Sequence, residues 1–492
     1  MKSYDVIIVG GGLAGLECGA ILSKEGHSVC VLEKNDLLGG CFQTFPRYGR
    51  KLDTGIHYIG SLDEGQLMHQ IWKYLGIIDK IQLQRLEPTG FDHIHLDSGI
   101  YKIGMGYENF MENMLQQFPK ERTTLQQYIA TLQEVGNTSS VESLQRGTFS
   151  DGGMRYFYQS ASAFIEETTD NKTLQRVLTG TAQLYGGVRD KSTLYSHAMV
   201  NNSYIQSSYR LVGGSMQVTD ALARVIEENG GTVRTNCNVT RIKTDGTKVT
   251  GIEVNGEEHI EGKQYICTIH PQVAIPLIED TPAIKKIYRR RIADMPNSYG
   301  VFTLYLLMKD GAYPYERYNH YVYGKRDTWY NEAGEKGCLI TSQATSVEQK
   351  YADVITILMT MPYDEVKQWE GTTVNHRGDE YLAYKERKTA DILQFVASQG
   401  FDYTDKVEHI VTSSPLTYRD YTGTAQGSAY GLAKDYHDPQ RCFMPTRTRL
   451  ENFYFAGQSI NIHGALGVSL TSLLTCAEFL GEEYLAKKIG YA

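Results

Sequence analysis

Apolar and polar positions fall into two regimes along the chain. Tyr4 to Val9 (YDVIIV) is a short run dense in β-branched residues, the pattern of a fully buried strand. A glycine cluster follows, and Leu13 to Lys24, with small residues on one face, reads as a helix. Ser28 to Leu32 (SVCVL) is the next buried strand and ends at Glu33. Strand, glycine turn, helix and strand make a βαβ unit, whose parallel strands need helices on both faces. Beyond Gly60 the pattern turns helical. Gln66 to Leu75 is amphipathic, and Tyr107 to about Glu134 is helical apart from Pro119. Gly136 to Gly153 reads as a loop or tip, and Phe157 to Tyr209 is mixed with helical stretches. At Val212 a second glycine turn leads into a helix that stops at Gly230-Gly231. Period-two alternation follows from Thr232 to Asn255, then a buried strand over Tyr265 to Ile269.

From Tyr299 to Pro362 the chain reads as four strands of a separate, antiparallel sheet. A charged helix is expected over Gly378 to Ala397. The end returns to the opening style, with Asn452 to Ala456 as a strand, a glycine-rich turn from Gly457, and a helix from about Val468 that closes the chain as far as Lys488. There is no internal repeat and no low-complexity tract.

Composition narrows the class. The 492 residues suit two to three domains, and the formal charge of 49 − 57 = −8 argues against a nucleic-acid binder. Glycine, at 48 residues, exceeds the usual ~7%. The 35 tyrosines outnumber the 15 phenylalanines, favouring large rings with a polar tip. The eight cysteines are scattered and contain no C-x-x-C, so a zinc site or a redox dithiol motif has no sequence support, and no metal is expected. The apolar start is broken by glycines and carries Asp5 and Glu17, unlike a signal peptide, and no run of eighteen apolar residues exists. A reduced, cytoplasmic protein is expected.

Gly10-x-Gly12-x-x-Gly15 follows a strand and opens a helix, with Glu33 at the end of the second strand. Gly10 permits the tight turn, Gly12 lets a pyrophosphate approach the backbone, and Gly15 lets helix and strand pack closely. The helix N-terminus at Leu13 and Ala14 offers N–H groups to phosphate, and Glu33 suits ribose hydroxyls. Gly39-Gly40, just past the acid, permits a second close approach to phosphate, although a plain surface turn gives the same pattern. The strand ending at Ala456, the turn at Gly457 and Gln458, and the helix starting near Gly467 and Val468 offer a second helix N-terminus whose dipole suits charge on a reduced flavin, although a plain capped C-terminal helix gives the same pattern.

On these pieces, with Val212 to Gly231, Val239 and the stretch Gly39-Gly40-Cys41 to Gly60, the chain resembles the FAD-dependent family of phytoene desaturases, carotenoid isomerases and retinol saturases. The saturase branch is the nearest. The resemblance runs from Tyr4 to Leu480. Cys41 stands where the desaturases usually carry arginine, and the C-terminal motif lacks their common proline, which shifts the expectation from desaturation to saturation or isomerisation.

The resemblance implies an α/β architecture: a Rossmann-like, glutathione-reductase-type FAD-binding domain with an inserted α+β substrate domain. The FAD domain is expected over 1–75, 205–275 and 410–492, and the substrate domain over 76–204 and 276–409. Lys34, Thr54, Gly55, Ile56 and His57 join the expected FAD contacts. The implied reaction passes hydride through the flavin to or from a carbon–carbon double bond of a lipophilic polyene or isoprenoid, with saturation as the first reading. The rivals are a reduced-FAD cis/trans isomerase or a desaturase, an amine-oxidase-like flavoenzyme, and a flavin-free prenyl-binding protein. Only one dinucleotide fingerprint is present, so electrons are expected to pass to or from an unidentified soluble or membrane partner, or nicotinamide bound transiently.

Near the expected flavin, the ionisable candidates are His57, Tyr58, Arg419, Tyr421 and His463, with His57 and Tyr58 expected to supply a proton. Any of the histidines also reads as a hydrogen-bonded turn residue, and Arg419 as a salt-bridged strand residue. An elongated apolar substrate calls for a closed tunnel between the helical insert and the Tyr299–Pro362 sheet. The family also implies peripheral contact with membranes. Seven tyrosines from Tyr305 to Tyr330 and the basic run Lys285 to Arg291 suit lipid headgroups, or equally a tyrosine-rich sheet and a solvated helix face.

Overall fold

The computed structural model describes residues 4–149 and 152–492. Its first sheet has five parallel strands in the order Thr232–Arg234, Val29–Leu32, Tyr4–Val9, Gly262–Cys267 and Phe453–Phe455. Tyr4–Val9 and Val29–Leu32 are buried almost throughout, which is why they read as apolar runs without alternation. The helix Leu13–Lys24 covers one face, packed between Met216–Glu228 and Gly464–Leu480. Strands drawn from the start, middle and end of the chain thus meet in one sheet, so this layer is discontinuous in sequence.

The second sheet is larger than the expected four strands. It runs Val407–Ser413, Gly300–Met308, Val354–Met361, Cys338–Gln343, Asn319–Gly324, Asp92–Leu96, Gly99–Ile103. It is antiparallel except at one seam, where Asn319–Gly324 pairs parallel with Asp92–Leu96. The hairpin Asp92–Ile103 escapes a search for apolar runs because His93 and His95 interrupt it on one face. Val407–Ser413 belongs to this sheet, so the expected boundary at 410 falls inside a strand.

Other departures have local causes. Pro119, which has no N–H to give, separates Tyr107–Gln117 from Arg122–Asn137. The expected loop 136–153 contains a short helix, Val141–Arg146, closed by a Ser140/Ser143 capping box and packed on Glu482–Gly490. Ser150 and Asp151 of that segment lie outside the described residues. The last helix begins at Gly464, a turn before Val468, and is broken at Gly481 (φ +86°). The tyrosine-rich stretch is not a surface: Tyr305, Tyr321 and Tyr323 are fully buried and the other four half-buried. In the basic run, Arg289 is held by the carbonyls of Ile275, Ile278 and Glu279. Among the described residues no helix is long and apolar enough to cross a membrane.

Glu17, on the first helix, is 1% exposed and accepts a 2.7 Å hydrogen bond from Ser469 Oγ on Gly464–Leu480. Burial raises its carboxyl to about 7, against an ordinary ~4.3. The folded state therefore keeps a proton that the unfolded state has released. The associated stability is complete below about pH 4 and is lost as the pH rises to about 7. Glu17→Gln, which cannot ionise, should match wild type in urea melts at pH 4 and exceed it at pH 8. An identical pH dependence in both proteins contradicts this burial.

Candidate active site

The first turn is built by close approach. Gly10 takes φ +107°, and a Cβ on Gly15 would lie 2.0 Å from the Gly10 carbonyl oxygen, so only glycine lets the helix start against the strand end. The Gly11 N–H donates to Glu33 Oε2 at 2.9 Å and the Asn35 N–H to Glu33 Oε1 at 2.9 Å, which fixes the carboxylate at the mouth of the turn. The Gly39 N–H donates to the Gly11 carbonyl at 2.8 Å, and Gly12 and Gly39 pair as an isolated parallel bridge. The two glycine turns are thereby one rigid cradle. A Cβ on Gly12 would meet nothing nearer than the Gly39 carbonyl oxygen at 4.0 Å, so it faces the open groove. Gly457, with its Cβ position 3.7 Å from Ala14 Cβ, brings a third turn to the same place. Two helix N-termini, at Leu13 and Gly464, open on one groove rich in bare backbone. A dinucleotide's phosphates and ribose fit these donors, this bare surface and this carboxylate.

Of the expected FAD contacts, Gly10, Gly12, Leu13, Ala14, Glu33, Gly39, Gly40, Cys41, Gly55, Ile56, Gly457, Gln458 and Val468 line the groove. Six others do not, His57 among them, whose two ring nitrogens are buried without a hydrogen bond. Gly15 and Gly467 are packing positions, the latter with its Cβ site 2.6 Å from Ile462 Cγ2. Lys34 Nζ donates to the Asp420 carbonyl, and Thr54 supplies a carbonyl to the Tyr418 hydroxyl. Val239 packs into the core, two residues beyond the Cys237 N–H that bonds the Glu33 carbonyl. The groove also has walls that motif reading missed, including Thr268, Tyr418, Thr424 and Tyr430. Thr268 was within reach, since Val9 and Cys267 share a register and their next residues must meet. Tyr430 sits in no motif.

A second cavity of about 560 Å³ adjoins the groove, and Tyr430 lines both. It lies where the tunnel was expected, between the helical insert (185–196) and loops of the second sheet (296–299, 327–332, 362–364). Its depth is aromatic, with Tyr185, Tyr299, Trp329 and Tyr430 beside His463. Its mouth is charged, with Arg189, Asp190, Lys191, Asp327, Glu332 and Asp364 exposed there. The expectation of a closed tunnel for an apolar substrate is thus corrected at the entrance, which is open and charged. The Tyr299 ring stands 4.4 Å from that of Tyr330, and its buried hydroxyl has no hydrogen-bond partner. Burial raises this phenol well above its ordinary value, so it stays protonated. Lys434 Nζ, pushed down to about 8 by burial, donates to the carbonyls of Cys442, Ser459 and Ile460.

The five catalytic candidates separate. His463 lines the cavity 4.4 Å from the Tyr430 ring, neutral because burial, then Lys434, lowers it to about 3. Tyr421 is an exposed residue on the groove's rim. His57 and Tyr58 line neither space. Tyr58 donates to Asp92 at 2.9 Å and lies 2.5 Å from the Tyr321 hydroxyl, and both His57 nitrogens are buried without a hydrogen bond. Burial, then Arg210, lowers His57 to about 4. Arg419 sits on a helix, Pro415–Thr422, and not on a strand. Its guanidinium is spent on Asp420 and the carbonyls of Glu370 and Thr372, so it is structural.

The contrast between Gly12 and Gly15 is testable. Gly12→Val should yield a folded protein, with a melting temperature close to that of flavin-free wild type, that no longer retains FAD through gel filtration. Gly15→Val should fail to fold, because its clash is with backbone. A yellow Gly12→Val protein contradicts the assignment of the groove.

The profile of the flavin-containing amine oxidoreductase family matches residues 13–470. The chain is 24% identical over 532 residues to an all-trans-retinol 13,14-reductase of Danio rerio, covering 97% of this chain and 86% of the relative. It is 22% identical over 516 residues to a 4,4'-diapophytoene desaturase of Staphylococcus aureus, covering 95% and 96%. Its fold is similar to that of a solved putrescine oxidase variant, with a TM-score of 0.65 and 14% identity over 97% of this chain and 99% of that one. With the cradle described above, these findings make FAD the cofactor and the protein an FAD-dependent oxidoreductase. The chain belongs to the flavin-containing amine oxidoreductase family.

Proposed function

We propose that this flavoenzyme reduces a carbon–carbon double bond of a polyene with one polar end, of retinoid type. The observation that carries the reading is the aromatic cavity that opens from the FAD groove at Tyr430 and ends in a charged mouth. The end-to-end similarity to a retinol reductase supports it. Aromatic walls take a polyene out of water at about 25 cal/mol per Å² of apolar surface, while the mouth suits a hydroxyl or carboxyl left at the surface. A pure hydrocarbon would leave that mouth unused. The similarity to a diapophytoene desaturase favours, as a second reading, the reverse reaction on the same bond.

FAD, when bound, supplies the hydride chemistry. The chain's own residues orient the substrate, exclude water and deliver the proton. The aromatic rings around Tyr299 and Tyr330 fix the polyene's plane. Tyr299 is the best proton donor, because its hydroxyl is free, protonated and on the cavity wall. Tyr58, committed to Asp92, is a positioning residue of the core behind the site. With a single dinucleotide fingerprint in the sequence, the reading takes reducing equivalents from a soluble or membrane partner or from nicotinamide bound transiently.

With all-trans-retinol and chemically reduced enzyme under anaerobic conditions, the product should gain two hydrogens by mass spectrometry. Unchanged mass with a changed retention time indicates isomerisation, and peroxide release from putrescine indicates an amine oxidase. Tyr299→Phe should lower turnover by about 10²–10⁴-fold, the general-acid range, with the bound-flavin spectrum unchanged. Tyr58→Phe should stay within a few-fold of wild type. Full turnover in Tyr299→Phe refutes that residue's role.

A further inference from the structure

On the second sheet, the parallel seam sets His320 opposite His93 and Val322 opposite His95. His93, His95 and His320 therefore project from one face, while Ile94 and Tyr321 between them enter the core on the other. Leu358, on the same sheet, lines the FAD groove and belongs to that same core. The three imidazoles thus stand on the side of the sheet turned away from the flavin.

They are gathered closely. One ring nitrogen from each lies within 4.8 Å of the others, and His95 Nε2 is 2.9 Å from His320 Nδ1. The other nitrogen of His320 meets Glu316 Oε2 at 3.1 Å, and Glu316 is itself held by the hydroxyls of Tyr318 and Tyr313. Phe401 sets its edge against His95 and His320, and Tyr318 stacks on His93 at 4.3 Å. A carboxylate that orients a histidine through its far nitrogen is the usual support of a metal-bound imidazole. Zn–N bonds of about 2.0–2.1 Å leave coordinating nitrogens roughly 3.3 Å apart. To reach that spacing the His95–His320 pair, now 2.9 Å apart, opens slightly, and His93 closes in from within 4.8 Å.

We propose that His93, His95 and His320 bind one divalent transition-metal ion of the zinc class, with Glu316 orienting His320 and a fourth position open to water. Binding moves the His95 ring proton from Nε2 to Nδ1, which frees Nε2 for the metal, while His320 keeps its proton on the nitrogen that faces Glu316. The site joins the hairpin Asp92–Ile103, from the first quarter of the chain, to a strand more than two hundred residues later. Its effect is therefore on the stability of the substrate domain and not on the flavin.

The test uses the full-length, flavin-loaded protein after treatment with EDTA. Titration with Zn²⁺ should show one saturable site per chain at micromolar or lower concentration and raise the melting temperature. Co²⁺ should give the visible absorption of a four-coordinate nitrogen site. His93→Gln/His95→Gln should lose both signals while keeping the flavin spectrum, and Glu316→Gln should weaken binding about 10- to 100-fold. Absence of one-to-one binding in wild type overturns the proposal, as does equal binding by the double variant. If the double variant does not fold, the wild-type Co²⁺ spectrum decides, and an octahedral aquo-like spectrum overturns it.

Discussion

The closeness of the first helix to the end of the first strand governs the rest of the molecule. Any side chain at Gly15 would collide with the Gly10 carbonyl. Without that contact the helix would start further out, and its N–H groups would not face the Gly12 side of the turn. The Gly11–Glu33 and Gly39–Gly11 hydrogen bonds tie two further segments to this turn, so one steric constraint fixes the ribose acid and both phosphate-facing turns together. Glycine at these positions costs backbone entropy on folding, and the buried strands on either side offset that cost.

A second joint connects the cradle to the substrate cavity. Asp53 is buried at the end of a hairpin strand, and its carboxylate accepts from Thr44 Oγ1, the Ser215 N–H and hydroxyl, and Gln343 Nε2. Its carbonyl accepts from the Tyr305 hydroxyl. One residue thus links the start of the helix Met216–Glu228, the flavin-side hairpin and two strands of the second sheet. Such a fully bonded buried group holds two sheets in fixed relation, because loss of any partner leaves a desolvated polar atom. The cavity wall at Tyr299 and the groove wall at Tyr430 can then meet reproducibly.

The cradle was legible in the sequence because its determinants are local. Gly10, Gly12 and Gly15 follow a strand, Glu33 ends the next, and Gly39 follows within six residues, so spacing alone carries the geometry. The substrate side was not legible for the opposite reason. Tyr185, Tyr299, Trp329 and Tyr430 come from four distant segments, and nothing in their neighbours marks them as one wall. His57 and Tyr58 follow directly on the groove residues Gly55 and Ile56, but Tyr58, in the irregular stretch before the strand Ile59–Gly60, turns into the core toward Asp92. The His93/His95 strand is not legible as an apolar run, because its five residues alternate polar and apolar and are too few for that alternation to stand out.

The central claim is that the aromatic cavity presents a polyene to the flavin. The most direct test is to titrate the oxidised holoenzyme with all-trans-retinol and follow the flavin's own visible absorption band. The account predicts a saturable one-to-one perturbation of that band, with no response to putrescine. A band that responds to putrescine and stays unmoved by retinol would contradict it.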